Sequence, residues 1–239
     1  MPGPWSQVGA RVRFEHGPSG LAALLGPTPL VVVVVDVLSF STAVVVAADR
    51  GVLVAPAPLD PPADVPEGAL VAGARGSGRP SLSPASLGGL PRGTRLLLPS
   101  PNGGAVAAAA GAAGATVIAA GVRNASAVAA ELRRRLEAET ELTAVVLAAG
   151  ERWPDGSLRP ALEDLHGAAL VLADLPEQWL SAEARAATTA AGLAAAIVAD
   201  GASARELAAR GFSVDVSTAL QRNASNAVPV LTAGWFAAE

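Results

Sequence analysis

The stretch Leu30–Gly51, LVVVVVDVLSFSTAVVVAADRG, decides the fold. Leu30–Val35 is an unbroken apolar run dominated by valine, the pattern of a central strand buried on both faces. It stops at Asp36. Ser41-Thr42 then offers a helix cap ahead of Ala43–Asp49, and Gly51 stands where a left-handed residue closes a helix. A buried strand that runs straight into a helix is the building unit of α/β proteins.

Outward from this stretch the same pattern repeats. Strands are predicted at Val52–Ala55, Leu70–Ala72, Arg95–Leu98, Thr116–Ala120 and Ala144–Ala148. Helices are predicted at Ala105–Ala113, Ala125–Glu139, Glu163–Leu175 and Glu183–Ala199. Another opens on a capping box at Ser203–Glu206 and closes at Gly211. Pro56–Pro66 and Gly73–Gly93 read as loops, and Ser213–Val216 and Val228–Leu231 as short strands. Without a repeat or a clear linker, the expectation is one domain over residues 1–239: three α/β/α layers around a largely parallel, mixed sheet.

Composition narrows the chemistry. The formal charge of −4 is not gathered into blocks, which argues against a nucleic-acid partner. Arg133-Arg134-Arg135 lies beside Glu131, Glu137 and Glu139, as on a solvated helix face. All 17 basic residues are arginine, so Schiff-base chemistry and a phosphate-loop lysine are excluded. The absence of cysteine removes thiol nucleophiles and thiolate metal sites. His16 and His166 are too few for a multi-histidine centre. Met1–Ala10 lacks the pattern of a signal peptide, and Ala105–Val122 is apolar mainly through alanine and glycine, so a cytoplasmic protein without a membrane span is expected. The alanine-rich, charge-poor composition is compatible with a homodimer.

In parallel sheets, ligands bind beyond the carboxyl ends of the strands. Asp36, Ser39, Ser41 and Thr42 follow the first strand; Asn102, Gly103 and Gly104 follow another; Asn124 follows a third; Gly150, with Glu163 and Asp164, follows a fourth. Together with helix N-termini, these groups suit an anion such as a phosphate ester. Asp36 needs a partner at the end of a buried strand, and that partner is either Mg²⁺ or the backbone of its own turn. Asn102-Gly103-Gly104 reads equally as a tight turn, Glu163-Asp164 as first-turn acids and Asn124 as a helix cap. His166 reads as a helix-surface residue. Residue chemistry alone reaches an anion-binding α/β protein with a possible Mg²⁺ requirement, and stops there.

Several segments in order resemble the ComB family of 2-phosphosulfolactate phosphatases. They are VVVVVDVLSFSTAVVVAADRG, LVAGARG, LSPASL, LLLPSPNGGAV, VIAAGVRNASAVA, VVLAAGERW, LEDLHGAAL, ELAARGFSVDV and NAVPVL, spread over residues 30–231. The resemblance implies Mg²⁺-dependent hydrolysis of a small anionic phosphoester. It favours Asp36, Asn102, Gly103, Asn124, Glu163 and Asp164 as site residues, with Asp36, Glu163 and Asp164 as catalytic and metal-holding groups. Arg75, Ser39, Ser41 and Thr42 join the substrate-binding set. The chain departs from the family pattern at Ser39, where the family has arginine, at Ala74 for glutamate and at Gly104 for threonine. These departures imply weakened turnover of 2-phosphosulfolactate, or a relative that binds phosphoesters without cleaving them. Arg79, Arg123 and Arg152 are the candidates to replace the missing cation.

Overall fold

A computed structural model describes residues 3–26, 29–59 and 65–239. Among them the strands are β1 Val12–His16, β2 Leu30–Val35, β3 Leu53–Ala57, β4 Ala69–Val71, β5 Arg95–Pro99, β6 Thr116–Ala120, β7 Thr143–Ala148, β8 Glu151–Arg152, β9 Leu158–Arg159, β10 Pro229–Thr232 and β11 Trp235–Ala238. The α-helices are α1 Gly17–Leu24, α2 Phe40–Ala48, α3 Gly103–Ala112, α4 Ala125–Ala138, α5 Leu162–Ala173, α6 Ala182–Ala187, α7 Ala195–Ala199, α8 Ala202–Ala209 and α9 Ser213–Ala219. Of the loop expected over Pro56–Pro66, residues 60–64 lie outside the described residues, as do Met1 and Pro2 of the N-terminal stretch.

The valine run behaves as its composition demands. Every residue of β2 is buried, and its side chains alternate between two cores. Val31, Val33 and Val35 pack toward α4 and α5, whereas Leu30, Val32 and Val34 pack toward α1, α2 and α3. Helices on both faces of one sheet give the three layers. The large sheet has the order β1-β7-β2-β6-β10-β11-β3-β5-β4. Two parallel blocks, β1-β7-β2-β6 and β3-β5-β4, are separated by the antiparallel hairpin β10–β11. Among the described residues that hairpin pairs in register with β6 at Val230 and Ile118, and with β3 at Phe236 and Val54. Among the described residues no helix is long and apolar enough to cross a membrane.

Three local expectations are corrected, and one strand was not expected. Ser213–Val216 belongs to α9 rather than a strand: Gly211, at φ +87, ends α8, and Asp215 lies in the first turn of the next helix. The single helix expected over Glu183–Ala199 is broken, because the Thr188 and Thr189 hydroxyls donate to the carbonyls of Arg185 and Ala186 and a 3₁₀ turn follows. The capping box at Ser203 does not form; α8 starts one residue earlier, and the Ser203 hydroxyl accepts from Arg159 at 3.0 Å. The edge strand β1 was hidden by its charged residues. Arg13 is nonetheless buried, with its guanidinium donating to the Leu24 carbonyl at 3.2 Å.

Helix α5 can lie against the end of β2 only because Gly167 faces it. A Cβ there would stand 2.8 Å from a Val37 methyl and 2.9 Å from a Val35 methyl. Gly167→Val should therefore destabilise the protein by roughly 1–3 kcal/mol through overpacking. A urea midpoint equal to wild type would show that α5 can shift freely.

Candidate active site

The carboxyl end of β2 is organised by two aspartates that hold backbone N–H groups. Asp36 accepts from the Phe40 amide at 3.0 Å and from the Gly103 amide at 2.8 Å, joining the starts of α2 and α3. Asp164, in the first turn of α5, accepts from Val37 at 2.7 Å and from Gly150 at 2.8 Å. Four segments distant in sequence are thereby drawn to one edge. Gly103 is required by this approach and not by a left-handed backbone: its Cβ would lie 2.6 Å from the Asp36 Cβ. Gly104 similarly faces Ser100, whose hydroxyl accepts its N–H at 3.2 Å.

Beside this junction is a cleft of about 180 Å³, whose wall includes Asp36, Ser39, Arg75, Asn102, Glu151 and Arg210. Arg75 comes from the loop after β4 and forms an ion pair with buried Asp215 of α9. It also donates to the Ser39 hydroxyl at 2.5 Å. Asp215 is held in turn by the Ser83 hydroxyl at 2.6 Å, so the guanidinium is fixed from behind. Across the cleft, Asn102 donates to Glu151 at 2.8 Å. Glu163 is buried in the first turn of α5, and among the described residues no hydrogen-bond donor reaches its carboxylate.

Not every expected residue faces the cleft. The Ser41 hydroxyl accepts the Asp36 N–H at 3.1 Å and donates to the Val34 carbonyl at 2.9 Å. The Thr42 hydroxyl donates to the Val37 carbonyl at 2.7 Å. Both hold the turn after β2, inside α2 rather than capping it. Asn124 is fully buried, accepts from the Gly121 amide and donates to the carbonyls of Ala119 and Ala227, so it braces the backbone. His166 is buried against the Ala190 carbonyl at 2.9 Å, and a surface position is corrected accordingly. Arg79, Arg123 and Arg152 are spent on backbone carbonyls and do not line the cleft.

Glu151, Asp215 and Arg210 went unassigned from sequence. Each lies in a segment that carried the family resemblance: GERW for Glu151, and ELAARGFSVDV for the other two. The missing signal was spatial. Asp215 matters because it meets Arg75, 140 positions away.

Burial and mutual repulsion set the electrostatics. Loss of solvent pushes the Asp36 carboxyl up to about 6, with the nearby Glu163 charge adding to the rise. The same cause, with Asp36 and Glu163 as neighbours, pushes Glu151 to about 7. Asp164 is raised well above the usual carboxylate range, again by desolvation first. Among the described residues, however, no three acidic or histidine groups converge as a closed ligand set. The expected triad of Asp36, Glu163 and Asp164 is corrected on this point: Asp164 holds two backbone amides, as Asp36 does, but unlike Asp36 it does not line the cleft.

A comparison with protein families finds a match to the 2-phosphosulpholactate phosphatase model over residues 25–234. The chain belongs to that family. No curated protein matches it. Within this phosphatase family fold, the Ser39 departure acquires a structural meaning, because the serine hydroxyl is the acceptor against which Arg75 rests. An arginine at that position would bring a second cation to Arg75.

The raised carboxyls give a sign that can be checked. A folded-state pKa above the unfolded value costs stability as pH rises through it, since the native state binds the extra proton. Glu151→Gln, which mimics the protonated form, should stabilise the protein by on the order of 1 kcal/mol at pH 8. The gain should vanish near pH 4. Equal melting shifts at both pH values would refute the raised Glu151 pKa.

Proposed function

We propose that this chain hydrolyses a small anionic phosphomonoester, of the 2-phosphosulfolactate type, to an alcohol and inorganic phosphate. The observation that carries the reading is a cleft in which Asp36 and Glu151, with carboxyls at about 6 and about 7, face the fixed guanidinium of Arg75. Carboxyl groups that change protonation near neutrality suit proton transfer at physiological pH.

The donor set fits a hard divalent cation such as Mg²⁺. The Glu163 charge adds to the raised proton affinity of Asp36, the charges of Asp36 and Glu163 add to that of Glu151, and Glu163 has no donor of its own among the described residues. Mg²⁺ keeps several waters and takes only one or two carboxylates plus phosphate oxygens, so a closed protein cage is not needed. Asp36 and Glu163 would hold it, with Glu151 at the margin. When bound, such an ion neutralises phosphoryl charge and acidifies a coordinated water.

The protein's own groups supply the remainder. Arg75, immobilised between Asp215 and Ser39, presents its guanidinium to the phosphoryl oxygens. Asn102 fixes the Glu151 carboxyl within the cleft. Glu151 takes a proton from the attacking water as the new P–O bond forms, and returns one to the alcohol oxygen as the old P–O bond breaks. One water is consumed, and the proton count closes.

The test is phosphate release from a phosphomonoester panel with and without Mg²⁺. Wild type should be active, and Glu151→Gln should lose a factor of about 10²–10⁴ in kcat. Asp36→Asn should abolish the Mg²⁺-dependent rise in melting temperature while the folded circular dichroism spectrum is kept. Phosphoester binding without turnover at any metal concentration would favour the binding-protein reading, for which the departures at Ser39, Ala74 and Gly104 speak. A Glu151→Gln variant of wild-type activity would remove that residue from the chemistry.

A further inference from the structure

Arg75 and Arg210 are the two cationic residues on the cleft wall, and they are held very differently. Arg75 is almost buried, and its charge is matched by Asp215. Arg210, at the C-terminal end of α8, leaves 57% of its side chain exposed. Its one ionic partner among the described residues is Glu206, one helical turn earlier, at 3.3 Å and itself 64% exposed. Such a pair contributes little and exchanges readily. Both arginines lie against Phe212. The Arg75 guanidinium lies 5.5 Å from the ring centroid and that of Arg210 lies 6.0 Å from it. One aromatic ring therefore carries a fixed cation and a solvent-exposed one beside the same cleft.

We propose that Arg210 is a specificity-determining residue, which leaves Glu206 to grip a carboxylate or sulfonate on the substrate while Arg75 holds the phosphoryl group. The inference rests on the phosphomonoester reading and names the arm that selects for the second anion. Three observations support it. Arg210 opens onto the cleft instead of the bulk surface alone. It stands close enough to Arg75, over the same Phe212 ring, for its charge to bear on that guanidinium. Glu206 also lines the cleft, so an incoming anion meets the carboxylate it must replace. The substitution exchanges one carboxylate partner of Arg210 for another of better bidentate geometry. Glu206 thus acts as an internal competitor, and that gives the two residues opposite signs.

Two phosphomonoesters that differ by one carboxylate, 2-phospholactate and isopropyl phosphate, separate the alternatives. Their affinities for the intact protein are measured by calorimetric titration, which does not require turnover, and phosphate release is followed in parallel. Wild type should bind 2-phospholactate more tightly, and Arg210→Gln should reduce that affinity ratio roughly tenfold. Glu206→Gln should raise the ratio, by about two- to fivefold, because the competitor is gone. Arg210→Lys should recover only part of the preference, since the ammonium lacks the planar fork. A ratio unchanged in Arg210→Gln, a ratio lowered in Glu206→Gln, or no binding of either ester would overturn the proposal. Binding with the expected ratios but no phosphate release would instead overturn the hydrolytic reading and leave the selector role standing.

Discussion

A carboxylate at the end of an all-apolar strand is costly in isolation, and this structure offsets the cost with backbone amides. Asp36 takes the Phe40 and Gly103 N–H groups, and Asp164 takes those of Val37 and Gly150. Amides at the first turn of a helix lack carbonyl partners within that helix, so they are available to an acceptor from elsewhere in the chain. Two acidic side chains thus bind together the ends of β2, β5 and β7 and the starts of α2, α3 and α5. Gly103 and Gly167 follow from the same demand for close approach, since a side chain at either would collide with the β2 terminus.

Of the two readings left open for Asp36, the structure contains the backbone partner. Asp36 caps its own turn through Phe40, and it also lines the cleft, with its carboxyl pushed to about 6 by burial. The brace and the cleft wall share one side chain. Asp164 shows the other outcome. Its oxygens hold backbone amides as those of Asp36 do, but it does not line the cleft, and burial raises its pKa well above the ordinary range.

Much of the architecture was legible because the period of the apolar residues carries it. The valine run, the alternation of strands and helices, and Gly51 at φ +69 all stand as the sequence implied. What failed were elements whose local signal was overruled by distant partners. Arg13 and Glu15 disguised β1, and Ser-Val-Asp-Val imitated a strand where α9 carries Asp215 to Arg75. At the site, sequence position pointed to Asp36 and Asn102 and the family resemblance added Arg75, and all three line the cleft. Sequence position could not distinguish a hydroxyl that faces the cleft, as at Ser39, from hydroxyls that satisfy carbonyls, as at Ser41 and Thr42. That distinction depends on which way α2 turns its first residues.

The C-terminal hairpin is in backbone register with each parallel block at a single residue pair. Backbone hydrogen bonding is therefore continuous within each block and thin between them, and side-chain packing sets their mutual position. Leu30, Val32 and Val34 of one block and Val54, Leu96 and Leu98 of the other share one core with Phe40 and Val44 of α2 and Val106 of α3. The cleft straddles this seam, with Asp36 and Glu151 on one bank and Arg75 and Asn102 on the other. The distance between carboxylates and guanidinium is consequently written into the volumes of buried aliphatic side chains. A methylene added or removed there would retune the gap between the two banks as a shim does in a joint, with no charged residue altered.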